Sequence, residues 1–536
     1  MHSPYLLFEH QASAHPDAAM LIAPASAHLP CAPDGFHHSY GDVFGRVGVL
    51  RQAFSQAGYG IGSRVALLLE NRPEFFDHWL ALNGIGVSIV PINPDLRADE
   101  LLFQLEMADV TLMVAIGERL ADLKNIVPSH VRVIAPGESI PASPSTHEAK
   151  PGGPDAECAL LFTSGSTGKP KACILSNRYF VTLAEWYVTQ GGIAEMQEGC
   201  EIALTPLPMF HMNALGCTAV GMIMKGGAIV PLDRFHARTW WDSIADSGAT
   251  IIHCLGVIPA ILLQLPVSET ERSHKVKFAL GPGVDARHKI EFEERYGIPI
   301  VEAWAMTETG GRAVTTTAAD DYTPDLRCIG RARTGMDYRI ADDTGADVEI
   351  GKPGELLVRA TGGDPRDGFF SGYLKDEKAT AEAWEGGWFH TGDVVYADDR
   401  GLLYFFDRKK SIVRRSGENI AVLEVEAALV KDEAVKAVAV TPVPDDLRGE
   451  EVFAFIVESK PDAVGSFDKA SRIVEQAGIH IAYHKLPGYV VFTDRLPVSS
   501  TQKLQRGEIK TMAAKAVEEG RALDMRAMKA KIRKAG

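Results

Sequence analysis

The stretch that most constrains the fold is VALLLENRPEFFDHWLALNGIGVSIVPIN, from Val65 onward. An apolar β-type run leads into a helical period around Phe75 to Leu82, and the β-branched run SIVPI follows. Similar alternation recurs through IALTPLP, GAIVPL and ATIIHCLG. Repeated strand–helix alternation implies a mainly parallel sheet covered by helices. The chain has 536 residues. That is more than one hydrophobic core usually serves, so several domains are expected.

Residues 330–406 carry a different pattern. Short β-runs (MDYRIAD, GELLVRA, GLLYFF) are separated by Gly and Asp turns, which suggests a small antiparallel barrel or sheet. After DRKK at 407–410 the pattern changes again. AVLEVEAALVKD reads as a helix, AVKAVAVTPVPD and EVFAFIVES as strands, and another helix precedes LPGYVVF, giving an α+β unit. The tail from Gly507 carries Lys510, Lys515, Arg521, Arg526, Lys529, Lys531, Arg533 and Lys534. It is expected to be a basic helix with a solvated face. Residues 215–232 form the longest apolar stretch, but Lys225 and paired glycines make a buried segment the better reading than a membrane span. The N-terminus lacks a basic start and does not read as a signal peptide.

A formal net charge of −15 argues against general nucleic-acid binding, though a local basic pocket for a phosphorylated ligand remains open. Seven scattered cysteines without a CxxC pair point away from a disulfide framework or zinc site and toward a reducing compartment, the cytoplasm. A homodimer is one assembly that the sequence leaves open.

Within LLFTSGSTGKPKACILSN, at 160–177, an apolar run gives way to Thr163, Ser164, Gly165, Ser166, Thr167, Gly168, Lys169 and Lys171. Backbone N–H groups and hydroxyls crowded into such a turn bind anions, above all phosphate oxygens. The spacing is not that of a Walker A loop, because Gly165 and Gly168 are too close and Pro170 follows Lys169. Alone, such a loop is more often a surface turn.

Further motifs accompany it: TPLPMFHMNA at 205–214, GPGV at 281–284, AWAMTETG at 303–310, the run GWFHTGD through DRKKSIVRRSGENIAVLEVE at 387–426, and LPVSSTQKLQR at 496–506. Together, in this order, they resemble the adenylate-forming superfamily of acyl-CoA synthetases, luciferases and peptide-synthetase adenylation domains, over essentially the whole chain. The resemblance is strongest to an acyl-CoA synthetase. It implies an α/β fold: a large N-terminal domain, 1–409, of two doubly wound α/β subdomains plus a small β-barrel, and a mobile, smaller α+β C-terminal domain, 410–536. It implies an ATP-dependent carboxylic acid:CoA ligase using ATP, Mg²⁺ and coenzyme A, in which a carboxylate attacks the α-phosphate and a thiol then displaces AMP.

By that resemblance the 163–171 loop holds phosphates, Thr307 bonds a phosphate oxygen and Glu308 holds Mg²⁺. Gly281, Pro282, Gly283, Ala303, Trp304, Ala305 and Met306 surround the nucleotide, with Trp304 where a tyrosine usually lies beside adenine. Asp393 accepts the ribose hydroxyls, Arg408 supports the ribose or a phosphate, and Tyr404 is a further nucleotide-binding residue. Lys503 reaches the substrate carboxylate and α-phosphate. Gln502 replaces the usual glycine before it, which puts the mobility of its loop in doubt. Lys410 is the hinge, and Arg415, Ser416, Gly417 and Glu418 line the path of CoA. The acyl pocket is formed by Met209, His211, Asn213, Ala214, Cys217, Gly256, Val257, Gly281, Ala303 and Ala305, with His211 as a gate.

FHMNA lacks the Asp of amino-acid-activating relatives, and Ala305 stands where acetate-specific relatives place Trp. The acid is therefore expected to be a medium-sized one: carnitine-like, aryl, branched or medium-chain. No carrier domain follows the last motif, so CoA is favoured as acceptor. The alternatives are transfer to a separate carrier protein or amine, and a nucleotide-binding homologue that has lost catalysis.

Overall fold

The stretch from Val65 folds as its pattern requires, into strand Arg64–Leu68, helix Pro73–Asn83 and strand Ser88–Pro91. Pro73 opens the helix at a position where its missing N–H costs nothing, and Phe75, Phe76, Trp79 and Leu80 are buried. In the computed structural model the two strands pair in parallel, with Val65 opposite Ile89. The structure describes residues 1–123, 125–163, 170–255, 257–284, 286–318, 328–342, 344–408, 412–416, 418–459, 467–497, 504 and 506–535.

The chain divides into two compact units. One comprises 1–94, 105–161 and 172–407; the other comprises 95–104, 162–171 and 408–536. The larger unit is built on three sheets. In one, the strands Ile300–Val301, Phe278–Leu280, Ile251–His253, Ile202–Thr205, Ala228–Pro231 and Ala19–Ala23 run in parallel, with Phe36–Ser39 antiparallel at the edge. A second centres on Arg64–Leu68, between Ser88–Pro91 and Leu112–Ala115, and continues through Glu157–Thr163 and Lys171–Ser176 to Gly372–Tyr373. The third is antiparallel and carries the 330–406 strands together with Ala303–Trp304 and Thr315–Thr316.

Residues 215–232 are buried in this unit. They form part of a π-helix, Asn213–Val220, then the helix Gly221–Lys225 and the strand Ala228–Pro231. Gly216 and Gly221 let them press against helix Asn177–Val188: a Cβ on either would lie 2.3 Å from Leu183 or 2.6 Å from Tyr187. Among the described residues no helix is long and apolar enough to cross a membrane. All seven cysteines are described, and none forms a disulfide.

The smaller unit pairs Val435–Asp445 with Gly449–Glu458 and adds Ile412–Arg415, Glu418–Ala421, Tyr489–Phe492 and Leu523–Asp524. Its basic tail keeps the expected solvated face at Lys515, Arg521 and Lys531, but it is two helices rather than one, each also has a packed side, and Lys529 is buried. Helix Arg506–Glu518 buries Ile509, Ala513 and Ala516, and helix Arg526–Ala535 buries Met528 and Lys529, with Met525 buried just before it. Charge density along the sequence hid this, because apolar residues three and four apart still make a packing face.

Candidate active site

The TETGG segment, 307–311, sits in a turn fixed from several sides. Thr309 Oγ1 accepts from the Met306 N–H at 3.0 Å, and the Thr309 N–H donates to the Met306 carbonyl at 3.1 Å. Gly310 has φ +59°, and a Cβ there would lie 2.5 Å from the Tyr179 ring; one on Gly311 would lie 2.2 Å from the Leu183 backbone. The paired glycines therefore bring the turn against helix Asn177–Val188. Thr307 is half-buried and Glu308 buried. The Glu308 carbonyl accepts from the Phe370 N–H at 2.9 Å, and its Oε1 accepts from the Tyr373 hydroxyl at 2.9 Å. Burial, and then the Glu308 charge, raise the Tyr373 phenol well above its ordinary range, so it stays a donor.

Asp393 lies on strand Phe389–Ala397 and is 1% exposed. Its N–H donates to Thr391 Oγ1 at 3.1 Å, and Thr391 in turn donates to the Leu356 carbonyl at 2.6 Å. Gly392, at φ +67°, directs its N–H to Glu355 at 3.1 Å. The Trp304 indole Nε1 donates to Asp393 Oδ2 at 2.9 Å. Two motifs 89 residues apart thus meet in one buried hydrogen bond.

The 281–283 turn is held by a residue that sequence reading missed. Glu302 Oε1 accepts from the Gly283 N–H at 2.8 Å, and Gly283 has φ +73°. The Gly281 N–H donates to the Val301 carbonyl at 3.0 Å, and a Cβ on Gly281 would come within 2.7 Å of Ile300. Pro282, Ala305 and Met306 are half-buried, and Ala303 is buried. Tyr404 is engaged elsewhere, its hydroxyl donating to Asp398 at 3.1 Å and its ring stacking on Tyr396 at 5.0 Å.

The 205–214 segment is anchored by Asn71, also missed. Asn71 Nδ2 donates to the Leu207 and Leu232 carbonyls at 2.8 Å each, and its Oδ1 accepts from the Met209 N–H at 3.0 Å. Asn71 is a lone amide in a loop, and nothing in its spacing marks it. His211 is half-buried and packs on Phe210 at 4.6 Å. Ala214 and Cys217 are buried on the π-helix; Asn213 Oδ1, at its start, is buried and has no hydrogen-bond partner among the described residues. π-Helical turns inside helices occur often at functional sites. Beneath it, His253 bonds Thr218 through Nδ1 at 2.9 Å and Tyr187 through Nε2 at 2.6 Å. Burial pulls the imidazole down to about 3, so it is neutral.

In the smaller unit, Arg415, Ser416 and Glu418 form the turn between strands Ile412–Arg415 and Glu418–Ala421. The Arg415 guanidinium is buried against Glu451 at 2.8 Å. Arg506, three residues beyond Lys503, forms a two-pronged ion pair with Glu426 and donates to the Val440 carbonyl at 3.1 Å. Thr163 and Lys171 end the strands that flank the phosphate-type loop. Ser164, Gly165, Ser166, Thr167, Gly168, Lys169, Gly256, Lys410, Gly417, Gln502 and Lys503 lie outside the described residues, as do the side chains of Val257 and Arg408.

Among the described residues no cluster of three His, Cys, Asp or Glu could hold a metal ion. A single oriented carboxylate such as Glu308 nevertheless suits Mg²⁺, which is commonly held by one or two carboxylates with substrate phosphates and water completing its shell.

Comparison with known proteins agrees along nearly the whole chain. Residues 8–374 match the AMP-binding enzyme family, and residues 424–503 match the AMP-binding enzyme C-terminal domain. The sulfoacetate–CoA ligase of Cupriavidus necator is 29% identical, the match covering 92% of this chain and 95% of that one. The crotonobetaine/carnitine–CoA ligase of Salmonella typhi is 28% identical over 88% of this chain and 93% of that one. A double mutant of o-succinylbenzoate CoA synthetase from Bacillus subtilis, solved with a product analogue, superposes with a TM-score of 0.81 at 25% identity, covering 94% of this chain and 98% of that one. The amide bond synthetase of Marinactinospora thermotolerans shares the fold, with a TM-score of 0.78 at 23% identity over 95% of this chain and 99% of that one.

Proposed function

Because the chain belongs to the AMP-binding enzyme family, we propose that it is an AMP-forming acid:CoA ligase, joining a carboxylic acid to CoA at the expense of ATP. The observation that carries this reading is the Trp304–Asp393 bond, which unites two nucleotide motifs in one buried site. In the first step a substrate carboxylate oxygen bonds to the α-phosphorus as the bond to pyrophosphate breaks. In the second, the CoA sulfur bonds to the acyl carbon, the acyl–oxygen bond breaks, AMP leaves and the thiol proton is released.

The residues divide this work. Asp393 accepts the ribose hydroxyls while Trp304 holds one of its oxygens and presents its ring to the base. The glycines at 281 and 283 keep the backbone low enough for a flat ring. The 163–171 loop and Thr307 bond phosphate oxygens, and Glu308, fixed by Tyr373, would hold Mg²⁺. That ion supplies charge neutralisation at the phosphates. Lys503 stabilises charge developing between carboxylate and α-phosphate. Lys410 is the hinge about which 410–536 moves relative to 1–409, exchanging the lysine loop for the CoA-facing turn.

The acyl pocket assigned to Met209, Ala214, Cys217 and Ala305 would take a medium-sized acid. The buried Asn213 Oδ1, which has no hydrogen-bond partner among the described residues, favours an acid carrying a second polar or cationic group, such as a carnitine-like one. The names of the relatives, sulfoacetate and crotonobetaine/carnitine ligases, point to the same class. Cysteines without disulfides support a reducing, cytoplasmic location.

The test is release of pyrophosphate and AMP from ATP and Mg²⁺ across short, medium, branched, aryl and betaine-type acids, with and without CoA. Acid-dependent pyrophosphate, with AMP turnover only when CoA is present, is expected. Turnover indifferent to CoA would transfer the acyl group to a carrier protein or amine. ATP binding without pyrophosphate for any acid would make this a non-catalytic homologue and Gln502 its decisive residue.

A further inference from the structure

The chemistry above leaves unused a buried ion cluster in the smaller unit. Glu451 is fully buried on strand Gly449–Glu458. One of its oxygens accepts from Lys529 Nζ at 2.8 Å, and both lie within 2.9 Å of Arg415 Nε. The Lys529 side chain is 2% exposed and that of Arg415 is 8% exposed. Lys529 also donates to the Leu486 carbonyl. The space is built for this contact: a Cβ on Gly488 would lie 2.3 Å from Glu451 Cγ. The Gly488 carbonyl accepts from the Met525 N–H at 2.8 Å, where the last helix begins.

Arg415 is the last residue of strand Ile412–Arg415, directly before the turn assigned to CoA. Ser416 in that turn has φ +52°, a conformation that side-chain-bearing residues adopt only under constraint. It is held from the far side as well: the Ser416 N–H donates to the Arg448 carbonyl at 3.0 Å, and Arg415 pairs with Gly449. One chain of buried contacts therefore runs from the C-terminal helix, through Lys529, Glu451 and Arg415, into the turn.

We propose that Lys529 is a positioning residue for the thiol step: through Glu451 and Arg415, helix Arg526–Ala535 holds Arg415 and Ser416, where the chain enters the turn assigned to CoA, in the conformation that admits CoA. The inference rests on the assignment of that turn to the CoA path. It gives the C-terminal helix a role in one half-reaction and none in the other.

The test uses the full chain and the variants Lys529→Met, Lys529→Arg and Gly488→Ala. Lys529→Met removes one of two cations around one carboxylate, so Arg415 and Glu451 remain as a balanced pair and the unit keeps its fold. Gly488→Ala displaces Glu451 without removing any charge. Acid-dependent pyrophosphate release reads the first half-reaction, KM for CoA reads the second, and amide hydrogen exchange of peptides spanning 412–421 reads the turn directly. With Lys529→Met we expect the KM for CoA to rise about tenfold, less than the roughly hundredfold that a full 1 Å misplacement can cost. Pyrophosphate release should stay within about twofold of wild type, and exchange at 412–421 should be faster. Gly488→Ala should behave alike, and Lys529→Arg should restore most of the loss. Unchanged KM and exchange, or parallel loss of both half-reactions, would overturn the proposal. If the wild-type protein makes no CoA thioester, the reading of function fails instead, and hydrogen exchange alone then decides whether Lys529 holds the turn.

Discussion

Trp304 donates its indole N–H to a carboxylate that is 1% exposed, and such a bond is worth roughly 1.5–3 kcal/mol because one partner is charged. Trp304→Phe keeps a flat ring and removes the donor. It should raise the KM for ATP about tenfold or more while leaving the acid preference unchanged, as read from steady-state kinetics across the acid panel. Sequence reading found both residues, but it put Trp304 beside the base and left Asp393 wholly to the ribose; their bond depends on 89 residues of intervening fold. His253 offers a second test. Burial holds it neutral, with a pKa near 3 against an ordinary 6.5. Between those values the unfolded chain takes up a proton that the folded chain refuses, so this contribution to stability is complete above pH 6.5 and is lost as pH falls toward 3. The slope is about 1.4 kcal/mol per pH unit for this group. Urea unfolding at several pH values should show it, and His253→Asn should reduce the slope by one proton's worth.

At the scale of elements, the TETGG turn, the π-helix and helix Asn177–Val188 share a contact that only glycine permits. Gly311→Ala would push a methyl group to within 2.2 Å of the Leu183 backbone, and neither element is a flexible side chain that could yield. Overpacking of this kind costs about 1–3 kcal/mol. Both a lower melting temperature and a weaker response to Mg²⁺ are expected, because Glu308 rides on the same turn; a change in melting temperature alone would separate the turn from the metal. The strands and helices at 65–93, 202–232 and 435–458 were legible from periodicity, since a half-buried element must repeat its apolar face. The basic tail was not. Lys529 looks like any solvated lysine in sequence, and its burial follows from a carboxylate 78 residues away.

Over the whole molecule, the function proposed above gives the two half-reactions to residues in different parts of the chain and gives Lys503 a part in the first alone. Lys503→Ala should abolish acid-dependent pyrophosphate release and leave thioester formation from a supplied acyl-adenylate largely intact; equal loss of both would sink the hinge at Lys410. Replacing Ala305 by Trp should shift preference toward smaller acids, and an unchanged acid profile would remove this residue from the pocket. Arg506, three residues beyond Lys503, is held by its ion pair with Glu426. By itself the sequence determined the α/β class, the order of the motifs and the family, because these depend on local periodicity and on residues close together in the chain. Tertiary structure alone decided that Asn71 anchors the 205–214 segment, that Glu302 holds the Gly283 turn, that Tyr373 fixes Glu308 and that Lys529 stands behind Arg415. Each is a polar group removed from water, which must find its partner wherever the fold brings one, and no spacing along a chain records that choice.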